Sequence, residues 1–300
     1  MSGWLFDVPK TRRRYQALVK HYQQAGLNAD NFACQHYAVC EHSQRGAKNL
    51  FKGGTLGLMP LYDVSYNGTP IRIFIIGKED GYTPESRRYG KPELHPYGIP
   101  ANFSIRCKQC LQATQRTTLN PHIKGTLLTL QRIFEVQSQY LYASYALGNG
   151  LRCAFQKDPN SENHSDLPDT PIMRRNCFPY LVKEIEILEP TLVITQGNWA
   201  IDANHPVMAQ LHRAFGPSKR LMMSSNGKHG LYEFPSFMYL TSYHPARLGP
   251  WKTRLAPDAL WPMIDHLKDI GYLPRISSEE AAQYEAIVKP AVDKLLNRLN

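Results

Sequence analysis

The sequence predicts an α/β fold, a three-layer domain whose central, mostly parallel four-stranded sheet is flanked by helices. Two observations carry this expectation. Four apolar runs, at 71–76, 140–147, 191–195 and 237–243, read as strands, and segments with helical patterning fall between them, near 126–134, 174–188 and 204–215. Alternation of this kind marks parallel strands joined by crossover helices, with both faces of the sheet covered.

Taken in order, Pro9 opens an amphipathic helix (Tyr15, Leu18, Val19, Tyr22) that stops at Gly26. Residues 26–69 are irregular and Gly-rich, so 1–69 reads as a helix and a segment wrapped on the core. The α/β domain spans 70–272. Within it 78–121, rich in Pro, Tyr and Arg, is too long for a plain connection and reads as an insert. Ser277-Ser278-Glu279-Glu280 then starts a helix that runs to about 298 through Pro290 and packs on the domain, making 273–300 a C-terminal element.

Three hundred residues easily bury a core. A formal charge of +10 and a pI near 9.3 favour a polyanionic partner, because neutralising phosphates releases counterions. No apolar run approaches a membrane span, and residues 1–15 are too polar for a signal peptide. A cytoplasmic monomer is expected, in which the six cysteines are thiols or metal ligands rather than disulfides.

Binding sites in parallel sheets lie at the carboxyl ends of the strands, and Gly77, Asn149, Gly197 and His244 all sit at such ends. Asn149 carries a donor and an acceptor in one amide, although Gly148-Asn149-Gly150 is also plain turn composition. Glu79 and Asp80 follow the first strand, either as catalytic carboxylates or as a solvated acidic turn. His244-Pro245 ends the fourth strand; a lone His-Pro pair is usually structural.

The block from Gly148 to Gly197 is more specific. It reads Gly148-Asn149-Gly150-Leu151-Arg152-Cys153, a polar Pro-rich loop, Cys177 within Arg174–Leu181, and an apolar strand ending at Gly197. This resembles the iron–sulfur (family four) uracil-DNA glycosylases, whose pattern is Asn-x-x-Lys-Cys, a loop, Cys on a helix, Leu-x-Pro and a strand ending in Gly. The segment 241–252 resembles the same family's second motif, His-Pro-(Ser/Ala)-x-Leu. The resemblance implies a uracil-DNA glycosylase-like fold and a monofunctional DNA glycosylase. Such an enzyme flips a base out of DNA, uses water as nucleophile and leaves an abasic site.

By that resemblance Glu79, with Asp80 second, stabilises the sugar cation or orients the water. His244 stabilises the departing base anion. Gly77 and Gly81 shape the pocket, and Asn149 reads the Watson–Crick edge. His122 or Phe103 serves as the stacking platform. Arg247, Leu248 and Lys252 face the DNA, the first two on the loop that fills the space left by the flipped base. Cys153 and Cys177, with Cys34 and Cys40, hold a 4Fe-4S cluster; zinc is the alternative metal, and Cys107 and Cys110 are the alternative pair.

Gly77-Lys78-Glu79-Asp80-Gly81 departs from the family's first motif and lacks its Pro, and 120–125 has no Phe. Gly81 leaves the pocket open where C5 of uracil would lie. That admits C5-modified pyrimidines, as in superfamily members that act against phages with modified cytosines, whereas Asn149 suits uracil. Lys78 is the one candidate for a Schiff base. Two other readings are a non-catalytic, metal-bearing nucleic-acid-binding protein and a nucleoside hydrolase using the same pocket.

Overall fold

The computed structural model describes residues 3–28, 31–43, 49–52, 57–77, 121–151, 153–156, 170–197, 206–245 and 248–297. Its strands are β1 (Trp4–Phe6), β2 (Leu27–Asn28), β3 (Asn31–Phe32), β4 (Asn49–Lys52), β5 (Gly57–Leu58), β6 (Val64–Tyr66), β7 (Thr69–Pro70), β8 (Ile73–Gly77), β9 (Tyr145–Asn149), β10 (Cys153–Gln156), β11 (Leu192–Gln196), β12 (Lys219–Met223), β13 (Gly230–Glu233) and β14 (Met238–Ser242). The helices are α1 (Val8–Gln24), α2 (Tyr37–Glu41), α3 (Pro121–Phe134), α4 (Pro171–Leu188), α5 (Pro206–Phe215), α6 (Trp261–Asp269) and α7 (Ser278–Asn297). A π-helical segment, Trp251–Leu260, leads into α6.

The largest sheet among the described residues runs β12-β13-β14-β11-β8-β9-β5. Its centre, β14-β11-β8-β9, is parallel throughout, and these are the four strands expected from the apolar runs. The sheet is wider than expected, because the antiparallel pair β12-β13 extends one edge and β5 the other. The turn composition of Ser224-Ser225-Asn226-Gly227 is the hairpin signal for that extension. The second strand also starts later than the run at 140–147 predicts. Residues Gln139–Ala143 form a 3-10 turn, held because the Ser138 hydroxyl accepts from the Tyr140 N–H and the Tyr142 hydroxyl donates to the Ile123 carbonyl.

Alternation along the parallel strands sorts their side chains onto two cores. Ile73, Ile75, Tyr145, Leu192, Ile194, Met238 and Leu240 pack against α3, the π-helical segment, α6 and α7. Phe74, Ile76, Ala146, Val193 and Tyr239 pack against α1, α4 and α5 on the opposite face. The strands therefore need apolar residues at every position, which is why they read as continuous runs.

Helix ends follow local chemistry. Asp7 caps α1 by accepting from the Lys10 N–H at 2.8 Å, with Pro9 in the first turn. Thr170 caps α4 by accepting from the Met173 N–H at 3.2 Å, ahead of Pro171. The N-terminal segment is fastened by Arg14 of α1. Its guanidinium lies 3.1 Å from Asp63 and 2.8 Å from Glu189, and donates to the Ile187 carbonyl. Trp4 sits in the core against Phe134 and Tyr284, so both chain termini share the core of the α/β domain.

His229 closes the β12-β13 hairpin and is 0 % exposed. Its ring meets that of Tyr243 edge-on at 3.9 Å between centroids, and neither ring nitrogen has a hydrogen-bond partner among the described residues. Burial lowers its pKa to about 4, with Asp258 opposing and Lys228 adding to the shift. Because the folded pKa lies below the unfolded one, the unfolded chain binds the extra proton. The contribution is complete above pH 6.5 and is lost as pH falls through 4. Urea denaturation between pH 7 and pH 4 should show a loss on the order of 3 kcal/mol that disappears in His229→Phe. An equal acid loss in wild type and variant would refute the assignment.

Candidate active site

The chain order of the parallel strands sets where a site can form. β9 lies on one side of β8 and β11 on the other, so the crossovers diverge at the carboxyl end of β8, the position where sheets of this kind bind their ligands. Helices α3 and α4 each follow a strand and run back along the sheet, so both begin at this same edge. The residues meeting there come from four strand ends and one helix start.

Gly77 and Asn149 are paired at the ends of β8 and β9, and Gln196 and Ser242 at the ends of β11 and β14. The β8-β11 register places Gln196 beside Gly77, which makes one row on the sheet face covered by α3. The missing side chain at Gly77 matters here. A Cβ at that position would come within 2.9 Å of the Asn149 Oδ1, so the amide leans into the space the glycine leaves. Asn149 is itself buried.

His244 follows the row by two residues. The residue before it is held on three sides. The Trp251 indole N–H donates to the Tyr243 carbonyl at 3.1 Å, the Asn226 amide donates to the Tyr243 hydroxyl, and the His229 ring packs on the Tyr243 ring. On its far side Pro245 meets α3. A Cβ on Gly125 would fall 2.3 Å from the Pro245 Cβ, so helix and His-Pro turn touch with no side chain between them. This contact brings the His122 ring parallel to the His244 ring, 6° apart in plane and 4.9 Å between centroids. His122 Nε2 lies 2.9 Å from the Gln196 Oε1.

His244 is open to solvent on its outer side, yet the protein packed around the ring desolvates it enough to lower its pKa below the usual histidine value. A neutral imidazole at neutral pH is the consequence. Such a ring donates a hydrogen bond to a developing anion without having been charged beforehand.

Of the expected site residues, Gly77 and Asn149 are neighbours at the ends of β8 and β9, and His122 and His244 stack on each other at the end of β14. Glu79, Asp80, Gly81, Phe103, Cys107, Cys110 and Arg247 lie outside the described residues. Leu248 is described only in its backbone, in the helical turn Leu248–Pro250, and Lys252 is exposed just beyond it. Gln196, Gly125 and Tyr243 carry no role in the sequence reading. A polar residue closing the apolar run Leu192–Gln196 is the signal that identifies Gln196; nothing local identifies Gly125.

Cys34, Cys40 and Cys177 are thiols near the first half of α4. The Cys34 Sγ is 3.9 Å from the Tyr180 hydroxyl, and the Asn176 amide donates to the Cys40 Sγ at 3.5 Å. Cys177 lies between Asn176 and Tyr180 in the helix. Cys153 opens β10, opposite Lys52 of β4, and β4 packs on α2, the helix of Cys40. Among the described residues no group of three or more His, Cys, Asp or Glu has metal-holding geometry.

The uracil DNA glycosylase superfamily profile matches residues 100–268, more than half of the chain. The chain belongs to this superfamily. Membership points to a DNA glycosylase and to DNA as its partner. The match takes in Asn149, Cys153, Cys177, Gly197 and the whole of 241–252, and begins beyond Gly77 and the acidic residues after it. No curated protein matches the chain. No helix among the described residues is long and apolar enough to cross a membrane.

The α3 contact gives this superfamily member a test of its own. Replacing an interior helix glycine by alanine ordinarily adds about 1 kcal/mol of stability. Here the new methyl strikes Pro245, so Gly125→Ala should destabilise by roughly 1–3 kcal/mol in urea denaturation. A more stable Gly125→Ala protein would show that the close approach does not hold in solution.

Proposed function

We propose that the chain is a monofunctional DNA glycosylase acting on a flipped-out pyrimidine, either uracil or a C5-modified base such as glucosylated hydroxymethylcytosine. The observation that carries this reading is the placement of Asn149 and His244 along the same carboxyl edge of the sheet in a chain of this superfamily. Asn149 offers donor and acceptor to the Watson–Crick edge of the base. Neutral His244 donates to O2 as the glycosidic bond breaks and the base leaves as an anion. Water adds to C1′ and the proton it gives up passes to the departed base anion, leaving a neutral free base and an abasic sugar. The carboxylate that steadies the sugar cation is Glu79, with Asp80 second. Arg247, Leu248 and Lys252 face the DNA.

Four thiolates, those of Cys34, Cys40, Cys153 and Cys177, hold a 4Fe-4S cluster in this reading, with zinc as the alternative. Supporting it, Cys34 and Cys40 of the N-terminal segment flank the same helix turn as Cys177. The donor set is all sulfur, which suits a thiophilic metal. The group would tie the N-terminal segment to α4 and β10, close to the DNA-facing edge. Iron, sulfide and zinc analysis of the purified protein should find four iron and four sulfide per chain, and Cys177→Ala should lose them. One zinc per chain would select the alternative, and no metal would refute the site.

Base release from DNAs containing uracil, hydroxymethylcytosine, glucosylated hydroxymethylcytosine or cytosine tests the activity, with abasic sites revealed by alkali. His244→Ala should lower kcat by about 10²–10³-fold. Release of uracil alone makes this a repair enzyme of the iron–sulfur type. Release of only the modified bases makes it a defence glycosylase. Binding without release from any of them would establish the non-catalytic reading, which the altered first motif favours.

A further inference from the structure

We propose that Gln196 and His122 are positioning residues for His244, with the Gln196 carboxamide holding the His122 ring and that ring holding the His244 imidazole. The inference rests on the glycosylase reading, since His244 is the group it serves.

Gln196 is 1 % exposed, at the end of a strand that is otherwise almost wholly apolar. A carboxamide buried there costs about 1–3 kcal/mol unless it is hydrogen-bonded, so its presence calls for a bonded role. Its side-chain oxygen bonds His122. With the carboxamide oxygen 2.9 Å from Nε2, the His122 ring donates from Nε2, which fixes its tautomer and its plane. That plane is parallel to His244 within 6°.

The stack limits what each ring can do. The second side-chain torsion of a histidine is broad and has no sharp wells of its own, so a ring on an open face samples many orientations. Turning His244 out of its plane drives its edge into His122, and His122 cannot yield without losing Gln196. His244 is thereby confined on one side before any DNA arrives. Confinement of this kind lowers the reorganisation needed when the base anion forms.

The same distances restrict the platform role. A base lying between two rings needs about 3.5 Å on each side, roughly 7 Å in all. The centroids of His122 and His244 are 4.9 Å apart, so no base enters between them in this arrangement. The face of His122 turned to His244 serves that histidine and not the substrate.

Gln196→Met, His122→Phe and the double variant test the proposal. Methionine keeps the volume of Gln196 without its acceptor, and phenylalanine keeps a flat ring without the bond. Each single change should lower kcat about 10- to 100-fold on a DNA that the wild type cleaves, with KM within about threefold. The double variant should lose no more than the worse single, because the two residues act as one unit. Ring nitrogen–proton NMR supplies the second readout, with the dispersion of each spectrum reporting that the variant is folded. Gln196→Met should shift the ring signals of His122 and of His244 alike. Unchanged kcat in either single variant, losses that multiply, or His244 signals that stay in place would each overturn the relay. If the wild type releases no base from any DNA, the glycosylase reading fails separately, and the His244 signals alone decide the relay.

Discussion

The contact of α3 with the His244-Pro245 turn is the constraint on which the rest of the site depends. A helix normally stands off from its neighbour by the thickness of its side chains, 8–10 Å between axes. At Gly125 that thickness is absent, and the ring of Pro245 occupies the place of the missing Cβ. Everything at the amino end of α3 is drawn toward the strand ends as a result. His122 reaches both His244 and Gln196 because the helix that carries it has been let in.

A second glycine works in the same way on the other side of the row. Gly77 leaves open the space into which the Asn149 amide leans. The row of strand ends thus combines one position without a side chain, Gly77, and two with amides, Asn149 and Gln196, held by parallel-strand register. Its chemistry is that of hydrogen bonds offered by neutral groups. The protein packed around the His244 ring lowers its pKa and so favours the neutral form, and the amides carry no charge. Such a row suits a base whose charge appears only as its bond to the sugar breaks. The net charge of +10 favours a polyanion such as DNA, the partner that the superfamily implies.

Two parts of the fold outside the pocket bear on the same edge. The β12-β13 hairpin, with His229 and Asn226 against Tyr243, buttresses the end of β14 from one side. The thiols of Cys34, Cys40 and Cys177 gather around the first half of α4, the helix that starts at this edge from the opposite face. Both join segments that the local sequence leaves loosely specified, a polar turn in one case and the Gly-rich N-terminal stretch in the other.

The amino-acid sequence by itself determined the four parallel strands, the helices between them and the strand-end positions of Gly77, Asn149, Gly197 and His244. Hydrophobic runs, the helix start at Ser277, and breaks at Gly and Pro are properties of neighbouring residues, and they survive translation into structure. The antiparallel edges were less legible, because β5 is two residues long and β12 is half polar, so neither makes an apolar run. Only the tertiary structure decided that Gln196 meets His122 and that His122 covers His244. Those residues lie 74 and 122 positions apart in sequence, and periodicity states which face a side chain takes without stating what stands opposite. The distance between α3 and the His-Pro turn had to be known first, and that distance depends on one absent Cβ whose meaning no local pattern carries.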